Sequence, residues 1–169
     1  MERVILFATV VLSFLVIVLG AKIKLPTIVD WKPCISEDGK MNETQVGKIK
    51  QIRFYGNCTE RCQFKINTSI EFEFDFDPGE DTDNLAPEMS GLLGPIEIPF
   101  PGMRASVCDS VFTAEGESCP LKKGKFYTYR RAVPIKDEYP PVFVDIKWKL
   151  ITDKKHTSIC FIVKSQIIE

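Results

Sequence analysis

Hydrophobic and polar residues alternate along much of this chain. Between residues 64 and 76, Phe64, Ile66, Ile70, Phe72, Phe74 and Phe76 share one parity, while Lys65, Asn67, Ser69, Glu71, Glu73 and Asp75 hold the other. Successive strand side chains point to opposite faces, so this spacing predicts one long strand with an aromatic face and a wet face. Val142, Val144, Ile146, Trp148 and Leu150, set against Asp145, Lys147 and Lys149, predict a second strand. Weaker alternation predicts strands over 48–55, 125–133 and 159–168. No apolar stripe has a helical period over a useful length.

Turn-forming residues divide these segments. Asp77-Pro78-Gly79 ends the long strand. Pro87, Gly91, Gly94-Pro95, Pro99 and Pro101-Gly102 punctuate the next region, and Pro134 and Pro140-Pro141 flank a short link. Many short strands with regular turns predict an all-β chain, an immunoglobulin-like β-sandwich of two antiparallel sheets, each with one buried side. There is no internal repeat, linker or low-complexity stretch, so a single domain is expected. Taken alone, the Phe stripe and the Trp148 stripe read as the filled core between the sheets.

The first residues stand apart. Val4 to Leu19 is a run of about 16 apolar residues, short for a membrane span but suited to the core of a signal peptide, and Gly20-Ala21 supplies small residues for cleavage. The expected division is a signal peptide over 1–20 and one mature domain over 21–169. An uncleaved anchor is the alternative, and no basic stop-transfer cluster follows to support it. The six cysteines, Cys34, Cys58, Cys62, Cys108, Cys119 and Cys160, all lie after this segment. An even count on a secretory route implies disulfides. Six cysteines allow fifteen pairings; short separations favour Cys58 with Cys62 and Cys108 with Cys119, and sequence alone leaves the choice open. Three N-glycosylation sequons, at Asn42, Asn57 and Asn67, agree with secretion. The Asn57 sequon contains Cys58, which makes it the least favourable.

Charge and chemistry narrow the function classes. The chain carries 22 Lys and Arg against 23 Asp and Glu, a formal net charge of −1, which gives no electrostatic basis for binding nucleic acid. Oxidised cysteines and one histidine, His156, argue against a metal site. His156 sits in the polar run Asp153-Lys154-Lys155-His156-Thr157, expected to be a solvated turn. There is no Gly-x-Ser-x-Gly elbow, and Glu71, Glu73 and Asp75 alternate along an exposed strand face. The expectation is a protein that is not an enzyme and needs no cofactor.

The segments from Cys108 to Cys160 carry a more specific signal. Cys119-Pro120, Tyr127-Thr128-Tyr129, the run Val133-Pro134-Ile135-Lys136-Asp137-Glu138-Tyr139-Pro140, Trp148 and Cys160 follow Gly91-Leu92-Leu93-Gly94-Pro95-Ile96-Glu97-Ile98-Pro99-Phe100. In order and spacing these resemble the ML domain, the lipid-recognition domain related to myeloid differentiation factor 2, and within it the Niemann–Pick type C2-like secreted sterol carriers. The resemblance spans about Asp30 to Ile168. It implies disulfides Cys34–Cys160, Cys58–Cys62 and Cys108–Cys119, and two splayed sheets with a lipid pocket between them. It implies Phe100, Ile135 and Tyr139 at the pocket mouth, Ile98 and Trp148 on deeper walls, and Phe72 and Phe74 on the facing aromatic strand. Its further implications are a sterol, fatty acid or other small lipid as ligand, a membrane lipid-acceptor protein or receptor ectodomain as partner, a monomeric state, and an extracellular or lysosomal location. Some relatives instead present lipid to an immune or chemosensory receptor, which is the alternative role. Glu97 stands where such proteins commonly carry proline, close to the expected mouth.

Overall fold

A computed structural model describes residues 25–34 and 45–169. The proposed signal peptide and the Asn42 sequon lie outside the described residues. The described elements are strands: β1 (Thr27–Ile28), β2 (Lys32–Pro33), β3 (Lys48–Phe54), β4 (Cys62–Lys65), β5 (Thr68–Asp77), β6 (Leu85–Leu93), β7 (Ile96–Pro99), β8 (Val111–Phe112), β9 (Tyr127–Ile135), β10 (Asp145–Thr152), β11 (Thr157–Val163) and β12 (Ser165–Ile168). Among the described residues they form two antiparallel five-stranded sheets, β1-β3-β5-β9-β8 and β2-β11-β10-β6-β7, and a two-stranded parallel pair of β4 with β12. The expected all-β sandwich is the observed fold, and the disulfides are Cys34–Cys160, Cys58–Cys62 and Cys108–Cys119.

Parity produces the core. Phe72, Phe74 and Phe76 of β5 and Tyr127 and Tyr129 of β9 turn inward from the first sheet. Trp148 and Leu150 of β10 and Ile159 and Phe161 of β11 meet them from the second. The rings interlock across the gap: Phe72 meets Trp148 edge-on at 4.8 Å, Phe74 stacks on Tyr129 at 4.9 Å, and Phe161 meets Phe74 edge-on at 5.2 Å. Such geometries add about 0.5–1.5 kcal/mol per pair beyond area burial. Burial pushes the Tyr129 phenol up to about 12, so it stays neutral.

The structure departs from the sequence expectations at four places. The strand expected over 64–76 is two strands. Asn67, at φ 59°, takes a left-handed turn conformation tolerated by Asn, and the Thr68 hydroxyl donates to Lys65 O at 2.7 Å. Phe64 therefore belongs to β4 and pairs with β12 instead of continuing β5. The segment expected as one strand over 159–168 likewise divides at Lys164, where the chain leaves the second sheet to join β4. The strand expected from Val142 begins only at Asp145; Val142 and Val144 bond instead to β12, through Ile167 N to Val142 O at 2.9 Å and Val144 N to Ser165 O at 3.2 Å. Residues 85–99, read from their Gly and Pro as turns, are in fact the β6–β7 hairpin, turned by Gly94 at φ 59°.

The wet face of the first sheet is a lattice of ion pairs. Arg53 bonds both oxygens of Asp75, at 2.6 and 2.8 Å, and reaches Glu73 at 2.5 Å. Arg130 reaches Glu71 at 2.6 Å. The Arg53 guanidinium, aided by the Thr128 hydroxyl, holds the Asp75 carboxyl below the usual carboxylate range. A depressed folded value means that Asp75 contributes stability above about pH 4, and that this is lost as pH falls through its folded value. Asp75→Asn is therefore expected to be less stable than wild type at neutral pH. It should lose less further stability on acidification below about pH 4. Urea midpoints of the two proteins across that range check this, and parallel curves would count against it.

Candidate functional site

The two sheets pack tightly at the aromatic cluster and separate beyond it. The gap is a cavity of about 230 Å³ that opens to solvent. Its inner end is set by buried residues: Phe64 from β4, Met89 from β6 and Val133 from β9. Ile70 of β5 and Ile135 of β9 line it from the first sheet; Gly91, Ile98 and Ile146 line it from the second. Val142 and Val144, with Ile167 of β12, close one side. The rim is formed by Pro99, Phe100, Pro101, Tyr139 and Pro140, with the Phe100 and Tyr139 rings edge-on at 6.1 Å. Among the lining residues the Tyr139 hydroxyl is the one polar side-chain group.

Each rim residue has a local cause. Pro99 ends β7, and the chain turns so that Phe100 N donates to Met89 O at 2.8 Å, which fixes the Phe100 ring over the opening. Across the gap, β9 ends at Ile135, and a turn in which Tyr139 N donates to Lys136 O at 3.3 Å brings Tyr139 back over the rim. Ile135 is anchored on the other side by Asn67 N donating to its carbonyl at 2.8 Å. The same left-handed turn that divides the long strand thus helps hold the mouth.

Of the residues singled out from sequence, Phe100, Ile135, Tyr139 and Ile98 come together around this opening. Phe72, Phe74 and Trp148 do not reach the lining. They are at most 3% exposed and form the packed aromatic layer beside it, because their rings fill the space between the sheets. Gly91, Met89, Phe64 and Ile167 line the cavity without having been singled out. Parity marked Phe64 as inward, but the parallel β4–β12 pair that brings Ile167 to the wall had no sequence signal. Glu97 faces away from the cavity: it pairs with Lys147 at 3.1 Å, a neighbour across β6, on the outer face of the second sheet.

The charged groups lie elsewhere. His156 Nδ1 is 3.0 Å from Glu80 Oε1 in the β10–β11 turn, where Thr152 also donates to Glu80 at 2.8 Å. The Thr152 bond and the His156 contact hold the Glu80 carboxyl below its ordinary value. Among the described residues no cluster of His, Cys, Asp and Glu could hold a metal ion. Asn57 and Asn67 are both exposed, Asn67 at the tip of its turn and Asn57 with its amide bonded to Gln63 at 2.8 Å. A site with apolar walls, one phenol and no charged lining group suits the burial of an apolar molecule.

Residues 28–167 match the family model described as the ML domain, E1_DerP2_DerF2. The chain is 32% identical over 124 residues to the NPC intracellular cholesterol transporter 2 of Mus musculus, covering 73% of this chain and 80% of the relative. It is 29% identical over 126 residues to the NPC intracellular cholesterol transporter 2 homolog a of Drosophila melanogaster, covering 73% and 82%. The fold matches the crystal structure of a Niemann-Pick type C2 protein from Japanese carpenter ant with a TM-score of 0.68 at 23% identity, covering 82% of this chain and 99% of that one.

Proposed function

This chain belongs to the ML-domain family, and on that premise we propose that it is a lipid carrier, reversibly enclosing a sterol or similar apolar lipid between its sheets and exchanging it with membranes or a receptor. The observation that carries this reading is the solvent-open cavity with apolar walls and a single phenol at its rim. Burial of apolar area returns about 25 cal/mol per Å², so each 100 Å² of lipid surface covered contributes about 2.5 kcal/mol without any bond being made. Phe100, Ile135 and Tyr139 grip the lipid at the mouth and Ile98 forms a wall; Phe72, Phe74 and Trp148 support the cavity from beneath. A sterol enters with its ring system and tail inside, leaving its hydroxyl beside the Tyr139 hydroxyl, where both stay hydrated.

The resting cavity is smaller than the about 300 Å³ at which pockets for drug-sized ligands begin. A lipid therefore widens it on entry. Met89, unbranched and flexible, is the lining residue best able to yield. The sequons and disulfides support a secreted glycoprotein, with an extracellular or lysosomal site of action. Transport of this kind needs no catalytic group and no cofactor.

The test is mass spectrometry of lipid extracted from the protein after secretion from eukaryotic cells and purification without detergent. A sterol or fatty acid at about one per chain is expected. An empty protein that also takes up neither a fluorescent sterol nor a fluorescent fatty acid would overturn the proposal.

A further inference from the structure

The cavity has a cause in the second sheet. Register places Ile98, Gly91 and Ile146 side by side in one inward-facing row across β7, β6 and β10. The next row inward is Met89, Trp148 and Phe161. That row is filled: Trp148 is 1% exposed and its indole reaches Phe72 of the other sheet. In the Gly91 row the middle strand contributes no side chain. The cavity lies over that gap, faced by Ile70 and Val133, which pair with each other across β5 and β9.

Nothing in the backbone demands glycine there. Gly91 lies inside β6 and is not among the glycines with positive φ, unlike Gly94 in the neighbouring turn. Glycine within a strand weakens it and commonly marks a place where another group comes close. A Cβ on Gly91 would lie 3.0 Å from Val144 Cγ2, a side chain that also lines the cavity. Even the smallest side chain would therefore press on Val144, and a larger one would stand in the lumen between Ile98 and Ile146.

We propose that Gly91 is the specificity-determining position of the cavity: its missing side chain sets the width, and so the bulk of the lipid admitted. The inference rests on the lipid-carrier reading above. A rigid fused-ring lipid cannot step around an added methyl, whereas a flexible acyl chain bends past it. One misplaced methyl in a packed apolar site changes affinity by about tenfold or more.

Wild type, Gly91→Ala, Gly91→Val, Val144→Ala and the double variant Gly91→Ala with Val144→Ala would be titrated with dehydroergosterol, a fluorescent sterol, and with cis-parinaric acid, a fluorescent fatty acid. Thermal unfolding would be recorded for each. In Gly91→Ala, sterol affinity should fall about tenfold and fatty-acid affinity less than about threefold, with the unfolding midpoint close to wild type, since the gain of alanine over glycine in a strand offsets the pressure on Val144. Gly91→Val should lose either probe that the wild type binds by more than about tenfold. Adding Val144→Ala should return Gly91→Ala to within about threefold of wild type. Unchanged binding by Gly91→Ala and Gly91→Val would overturn the inference. So would equal loss of both probes with a lowered midpoint, or failure of Val144→Ala to restore binding. Wild type that binds neither probe would sink the lipid-carrier reading itself and this inference with it; wild type that binds while the Gly91 variants match it overturns the inference alone.

Discussion

Replacing Cys34 and Cys160 together by alanine is expected to lower the unfolding free energy by about 5 kcal/mol. This bridge spans 126 residues of sequence and ties the end of β2 to the middle of β11. Closing so long a loop removes much of the freedom of the unfolded chain, and the chain-entropy relation gives about 5 kcal/mol at this length. A domain of this kind holds about 5–15 kcal/mol in total, so the double variant is expected at the edge of folding at body temperature. Cys58–Cys62 spans 4 residues, and the same relation gives about 2 kcal/mol for its removal. Urea unfolding under non-reducing conditions ranks the two bridges directly. An unchanged midpoint without Cys34–Cys160, or a larger loss without Cys58–Cys62, would contradict the loop-entropy account. Both cysteines of a pair are replaced together so that no thiol is left to mispair.

Phe100→Ala and Tyr139→Ser are each expected to weaken lipid binding by about tenfold while leaving the fold in place. One aromatic face covering roughly 55 Å² of lipid contributes about 1.4 kcal/mol, which is one factor of ten in affinity. Both rings sit at the rim, half-buried, and neither belongs to the interlocked aromatic layer, so the urea midpoint should move little. The rings touch each other, so their losses are not expected to add. Phe112→Ala is the control: this ring is 39% exposed on β8 and lies outside the lining, and its loss should leave binding unchanged. If both rim variants bind a sterol or fatty acid as wild type does, the mouth has been placed wrongly. Loss of binding accompanied by loss of stability would mean that these rings are structural.

Much of the sandwich was legible along the chain. The parity of Phe72, Phe74 and Phe76, and of Trp148 and Leu150, names the inward faces, because strand side chains alternate regardless of what the strand packs against. Parity does not see where a strand stops. Asn67 keeps the alternation while its left-handed conformation turns the chain, and at Lys164 β11 gives way to β12 with no break in the alternation. The β6–β7 hairpin was hidden for the opposite reason: Pro87 and Gly91 are turn formers by local preference, and pairing with β10 overrides that preference.

Local chemistry along the chain was enough for the class of the fold: alternating strands, the turn formers between most of them and an even set of cysteines. Each of these depends on residue type and near spacing alone. The cavity depends on something else. Phe72, Phe74 and Trp148 have the same inward pattern as Ile70, Val133 and Ile146, yet the first three fill the gap and the second three line a void. Which of them do so depends on what faces them from the other sheet, and on one absent side chain at Gly91 beside Val144. An empty space is a property of two surfaces held at a distance. It appears only when register, the β4–β12 pair and the rim turns at Phe100 and Tyr139 have placed those surfaces against each other.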